Sequence, residues 1–184
     1  MRRDRYFIAL LPPQELQAQM QEIQQHLATT YNLKRKANSP PHITLYPPFE
    51  LYPEDVPLLG ETLKEFAQYQ GAIPIQLAGF GAFKPRVVFI EPLKTPELMQ
   101  AQASLKQQIE SNLDLGKDKA RDRSFNPHIT IAFCDRRKPN FKYIWPEVKD
   151  REFNATFTVN RLTLLIYKNR YWHLDREFNL NYGN

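Results

Sequence analysis

The chain is 184 residues long, 42% hydrophobic and 24% charged, with a formal net charge of +5. That size and balance belong to a globular fold with a substantial core, and they exclude disordered and collagen-like classes. No apolar run approaches the roughly 20 residues that span a bilayer, so no membrane partner is expected, and the positive charge favours an anionic one.

In chain order, Met1 to Arg5 is charged, and only about six apolar residues follow before Pro12-Pro13. A secretory core of roughly 7–15 apolar residues with a cleavage site does not fit there, so Arg5 to Leu11 reads as a first buried strand. Pro12-Pro13 opens a helix whose apolar stripe is Leu16, Met20, Ile23 and Leu27, with His26 on its exposed flank. A basic loop (Lys34, Arg35, Lys36) then leads to Pro41-His42-Ile43-Thr44. Pro53-Glu54-Asp55 starts a second helix, with Val56, Leu59, Leu63 and Phe66 as its stripe. Ile73 to Phe83 reads as a strand bent around Gly79 and Gly81, and a turn at Lys84-Pro85 leads into a strand from Arg86 to Ile90.

Thr95-Pro96-Glu97 caps a third helix that ends near Leu113. A second basic loop (Lys117, Lys119, Arg121, Arg123) runs into Pro127-His128-Ile129-Thr130. Cys134, the one cysteine, can form no intrachain disulfide and no thiolate-rich metal site. Its expected role is a small buried hydrophobe in a reducing cytoplasm. Phe141 to Val148 is a weak helix, Phe153 to Tyr167 one long strand, and a turn at Lys168-Asn169-Arg170 leads to a last strand ending near Leu180. His173 on that strand is expected to pack or to face solvent.

The same tetrapeptide thus recurs 86 positions apart (42 to 128), each copy behind a basic, proline-ended loop. As strands, both copies should alternate with period two. Ile43 and Leu45 would face inward, and His42, Thr44 and Tyr46 outward. In the second copy Ile129, Ile131 and Phe133 would face inward, and His128, Thr130 and Ala132 outward. The matching order of elements reads as an internal duplication within one domain, residues 1–184, with halves of roughly 1–91 and 92–184. The expected fold is α+β: two lobes related by a pseudo-twofold axis, their sheets facing a central cleft.

Two symmetric imidazoles suit displacement at phosphorus, which needs a base on the entering oxygen and an acid on the departing one. Histidine performs either role near neutral pH. Each threonine, two residues along, can hydrogen-bond a non-bridging phosphate oxygen as charge develops. Two histidines alone leave zinc short of ligands, and no Gly-rich phosphate loop or G-x-S-x-G elbow is present. No metal or cofactor is expected.

On these paired H-x-T motifs the chain resembles the two-histidine (2H) phosphoesterase superfamily. Within it, the chain looks most like bacterial RNA 2′,3′-cyclic phosphodiesterases, also called 2′-5′ RNA ligases. The resemblance implies two antiparallel sheets with outer helices, and His42, Thr44, His128 and Thr130 as the catalytic set. It implies hydrolysis of RNA or nucleotide 2′,3′-cyclic phosphates to 2′-phosphates, reversible 2′-5′ joining, His42 as acid and His128 as base. Arg123 and Phe125 match the family's Arg-x-Phe approach to the second motif and become substrate-binding candidates, with Tyr46 as a base-stacking one. The expected partners are RNA ends or nucleotides carrying a cyclic phosphate, met by a monomer. The alternatives are a non-catalytic nucleotide- or RNA-binding module and a small-molecule cyclic phosphodiesterase. The short turn Tyr167-Lys168-Asn169-Arg170-Tyr171 departs from relatives with a longer Gly-Pro turn and leaves the substrate open.

Overall fold

Strand β1 (Asp4–Leu10) carries an unbroken buried run from Tyr6 to Leu10, which fits a strand with neighbours on both sides and cover on both faces. In this computed structural model, which describes residues 2–35, 37–115, 123–135 and 140–181, β1 pairs with β2 (Ile43–Leu51) and with β7 (Arg161–Lys168). Strand β8 (Tyr171–Asn179) completes an antiparallel sheet in the order β2-β1-β7-β8. The second sheet has the order β5-β4-β3-β6, from β3 (Ile73–Phe83), β4 (Val87–Pro92), β5 (Ile129–Phe133) and β6 (Asn154–Val159). Its strands are also antiparallel. Each H-x-T motif therefore lies at the start of an edge strand, beside the strand that precedes it across a helix.

Those helices are α1 (Gln14–Thr30), between β1 and β2, and α3 (Pro96–Asn112), between β4 and β5. Thr95 caps α3, its hydroxyl accepting from the Leu98 N–H at 3.4 Å. The two helices pack crosswise: α1 lies against β5, while α3 lies against β2 and β3. Helix α2 (Val56–Tyr69), entered through a 3₁₀ turn at Pro53–Asp55, packs on α3 and β8, and α4 (Phe141–Val148) on β4. One apolar core runs through both sheets and the helices, from Ile8 and Leu10 through Met20 and Leu105 to Val88 and Ile90. A smaller cluster of Phe7, Ala9, Leu165 and Trp172 covers the other face of the first sheet.

Two expectations are corrected. Phe153 to Tyr167 is not one strand. The chain parts at Asn160, whose carbonyl accepts from the Leu180 N–H at 2.9 Å, and β6 and β7 enter different sheets. Their burial differs accordingly: Asn154, Thr156 and Thr158 are exposed in alternation, whereas Leu162 to Ile166 are all buried in a middle strand. The lobes also do not follow a cut near residue 91. A short turn makes β3 the antiparallel partner of β4, so 73–92 joins the second sheet, and β7 and β8 return to the first. The duplicated unit is β1-α1-β2 against β4-α3-β5. The bend in β3 falls where expected, with Gly79 at φ +73° beside a register shift.

Candidate active site

Both H-x-T strands break the alternation read from sequence, at the same place. Opposite β1, Thr44 faces Ala9 and Tyr46 faces Ile8, so Leu45 is an extra residue. Opposite β4, Thr130 faces Phe89 and Ala132 faces Val88, so Ile131 is extra. One added residue reverses every following side chain. Tyr46 consequently turns into the core, 0% exposed and edge-on to Phe49, rather than joining the His42 face. Its ring has no open face on which a base could stack. Ala132 is likewise buried, and Phe133 comes onto the open face instead of the interior.

A glutamine from the opposite unit holds each bulge. Gln24 of α1 donates its side-chain amide to the Thr130 carbonyl at 2.9 Å, and Gln102 of α3 donates to the Leu45 carbonyl at 3.2 Å. The crossed helices thereby tie each H-x-T strand to the other motif's scaffold.

His42, Thr44, His128 and Thr130 all line one cavity of about 220 Å3. The imidazoles are fixed alike. His42 Nδ1 lies 2.7 Å from the Pro40 carbonyl oxygen, and His128 Nδ1 lies 2.7 Å from that of Asn126. In each case the acceptor belongs to the residue before the proline that precedes the histidine. The proline locks φ near −65° and restricts the residue ahead of it, which turns that carbonyl back onto the ring. Nδ1 must donate to a carbonyl, so it carries the proton and Nε2 is left to exchange protons with a ligand.

Burial lowers His42 from its ordinary 6.5 to about 4, opposed by the Pro40 hydrogen bond and reinforced by His128 nearby. Burial also lowers His128, opposed by the Asn126 hydrogen bond. Both rings are therefore neutral near pH 7. Aromatic rings supply the burial: Phe7 lies 4.7 Å from His42, and Phe83 and Phe89 lie 4.9 and 5.6 Å from His128.

Among the described residues, Arg35 is the one cation lining this cavity, its guanidinium 3.8 Å above the Phe133 ring. Arg35, Phe133, Trp172 and Gln24 also line it but were not singled out as site residues by sequence. The signal for Arg35 was its place in the first basic loop; Phe133 was hidden by the bulge. Lys36, Lys117, Lys119 and Arg121 lie outside the described residues. Arg123 and Phe125 line a neighbouring cavity that shares Thr44 and His128 with the first. Arg123 is exposed, and Phe125 is half-buried and packs on the core. His26 is exposed and pairs with Glu147 of α4 at 3.0 Å, and His173 is exposed beside Tyr171. Cys134 is buried, its thiol pushed up to about 11 by burial, which makes it a poor nucleophile. No group of three or more His, Cys, Asp or Glu among the described residues is arranged to hold a metal ion, and no described helix is long and apolar enough to cross a membrane.

The sequence model of the 2′-5′ RNA ligase superfamily matches residues 12–170. The chain belongs to that superfamily. A Geobacillus kaustophilus protein named as a phosphoesterase is 28% identical over 165 residues, covering 88% of this chain and 87% of its own. A Geobacillus thermodenitrificans protein of the same designation is 30% identical over 130 residues, covering 68% of this chain and 69% of its own. In fold, the chain is similar to Thermus thermophilus TT0787, with a TM-score of 0.73, 21% identity and coverage of 96% of this chain and 97% of that one. It is also similar to Escherichia coli LigT in complex with NADP+, with a TM-score of 0.64, 21% identity and coverage of 97% and 99%. The superfamily member described here is therefore a phosphoesterase of the two-histidine type, with the α+β fold of two antiparallel sheets.

Proposed function

We propose that the protein is a metal-independent cytoplasmic phosphodiesterase that opens 2′,3′-cyclic phosphates on RNA ends or nucleotides, leaving a 2′-phosphomonoester. The observation that carries this reading is the convergence of both His/Thr pairs on one cavity, each imidazole held with Nε2 available. The cyclic phosphate sits between the rings, with the Thr44 and Thr130 hydroxyls donating to its non-bridging oxygens. His128, neutral, takes a proton from the attacking water. The P–O3′ bond breaks, and O3′ leaves with a proton from His42. A phosphate anion restores that proton to His42, because charge attraction strengthens in an enclosed, poorly solvated site. The same step with a 5′-hydroxyl in place of water joins two ends through a 2′-5′ bond. LigT has been crystallised with 3′-AMP, which supports a nucleotide ligand for this similar fold.

Among the described residues Arg35 is the one cation lining this cavity of about 220 Å3, and so small a volume favours a small cyclic phosphate as a second reading. Steep loss of activity with added salt on an oligonucleotide, absent on a mononucleotide, separates RNA from small-molecule use. For the chemistry itself, His42→Ala and His128→Ala should each lower turnover by about 10²–10⁴. EDTA should have no effect. Full rate in both variants rejects the reading.

A further inference from the structure

Arg161-Leu162-Thr163 opens β7 with the spacing of the H-x-T motifs, a basic residue and a threonine two apart and therefore on one face. Thr163 stands opposite Ala9 on one side of β1, as Thr44 does on the other. The two threonines thus share the open face of the sheet, two strand spacings or about 10 Å apart. Thr163 lines a separate cavity of about 550 Å3 with Arg161, Glu177 and the start of α1 at Pro13 and Gln14. That volume suits a small-molecule ligand.

Three kinds of donor meet there. Thr163 is 1% exposed, yet its hydroxyl has no hydrogen-bond partner among the described residues. A buried hydroxyl left unpaired costs stability that a valine of the same shape does not, so it calls for an acceptor from outside the chain. The Arg161 guanidinium is fixed by Glu177 at 3.0 Å and keeps further N–H groups. Helix α1 begins at Pro13 without a side-chain cap, and its first backbone bond runs from the Gln17 N–H to the Pro13 carbonyl at 3.0 Å. The N–H groups of Gln14, Glu15 and Leu16 therefore have no acceptor within the helix, at its positive end. Glu177 and the exposed Glu15 oppose an anion here and keep its affinity modest.

We propose that this cavity is a second phosphate-binding site, formed by the Thr163 hydroxyl, the Arg161 guanidinium and the first-turn N–H groups of α1. A tetrahedral oxyanion has oxygens for all three kinds of donor. The binding does not depend on the hydrolysis proposed above. The phosphate belongs either to the nucleotide next along a bound substrate or to a free phosphomonoester, and the same oxygens are held in both cases.

The test titrates inorganic phosphate into the wild type and into a His42→Ala/His128→Ala variant, against sodium chloride at equal ionic strength. The backbone amide signals of Gln14, Glu15 and Leu16, followed by NMR, should move saturably with phosphate in both proteins and stay in place with chloride. Arg161→Ala should weaken that binding about tenfold and Thr163→Val about fivefold, the worth of a charge-assisted and a neutral hydrogen bond. Glu177→Gln should tighten it, since the amide still accepts from Arg161 but repels no anion. Thr163→Val should also raise the urea midpoint of the phosphate-free protein. Unmoved amides, equal affinity in Arg161→Ala and Thr163→Val, or weaker binding in Glu177→Gln overturns the site. The source of the phosphate is read from KM in Arg161→Ala. A rise for an oligonucleotide ending in a cyclic phosphate, but not for a nucleoside cyclic phosphate, assigns it to the substrate; no rise for both assigns a free phosphomonoester. No turnover of both substrates defeats the proposed function and leaves the binding result standing.

Discussion

Replacing His42 by Asn should make the protein less sensitive to acid. In the folded chain burial holds this imidazole near pKa 4, against 6.5 for the free side chain. A base whose folded pKa is depressed binds fewer protons folded than unfolded. Its effect on stability is therefore negligible above pH 6.5, grows as pH falls through 6.5, and is complete below about 4. At about 1.36 kcal/mol per pH unit, the wild type should lose about 2 kcal/mol between pH 7 and 5 through this group. Asn keeps an amide able to donate to the Pro40 carbonyl that His42 Nδ1 meets at 2.7 Å, but it does not titrate. Urea unfolding of both proteins at pH 7, 6 and 5 isolates the effect, since His128 and the carboxylates are common to both. The wild type should fall by about 2 kcal/mol more than the variant over that range. Parallel stability curves would refute the enclosed, neutral imidazole on which the proton chemistry depends.

Two further perturbations probe the scaffold. A Cβ on Gly81 would come within 2.4 Å of Phe89 Cε2, and that ring is wedged between Phe83 at 4.6 Å and His128 at 5.6 Å. Gly81→Ala should cost about 1–3 kcal/mol in a denaturant titration and lower turnover, with Phe89→Leu in the same chain recovering stability. Gln24→Leu and Gln102→Leu each leave a carbonyl of the bulges without its donor. Each should cost about 1 kcal/mol and lower kcat more than KM, while Gln→Asn variants too short to reach should behave like Leu. Unchanged kcat in both Leu variants would show that the bulges hold without these bonds.

What could be read in the sequence was local. Pro40-Pro41-His42 and Asn126-Pro127-His128 carry their own geometry, because a proline and the residue before it suffice to bring a carbonyl onto the ring. The stripes of α1 and α2 and the Thr95 cap were legible for the same reason. The bulges were not, since Leu45 and Ile131 are ordinary strand residues with no glycine to mark an insertion. One of the bonds that holds them joins Gln24 to Thr130, 106 positions away. Tyr46 and Phe133 were assigned to the wrong faces as a direct result. Nothing in the sequence marks Gln24 and Gln102, because their partners lie on the opposite unit. The apolar content of Phe153 to Tyr167 gave one strand, whereas the pairing demanded by two sheets divides it at Asn160.

The most direct measurement is the position of the phosphate left when the wild-type protein acts on an oligonucleotide ending in a 2′,3′-cyclic phosphate. Two histidines gripping the cyclic diester, with His42 protonating O3′, predict a terminal 2′-monophosphate. Its rate of formation should fall by about 10²–10⁴ in His42→Ala and in His128→Ala. A 3′-monophosphate, an unaltered cyclic end, or undiminished product from either variant would contradict it.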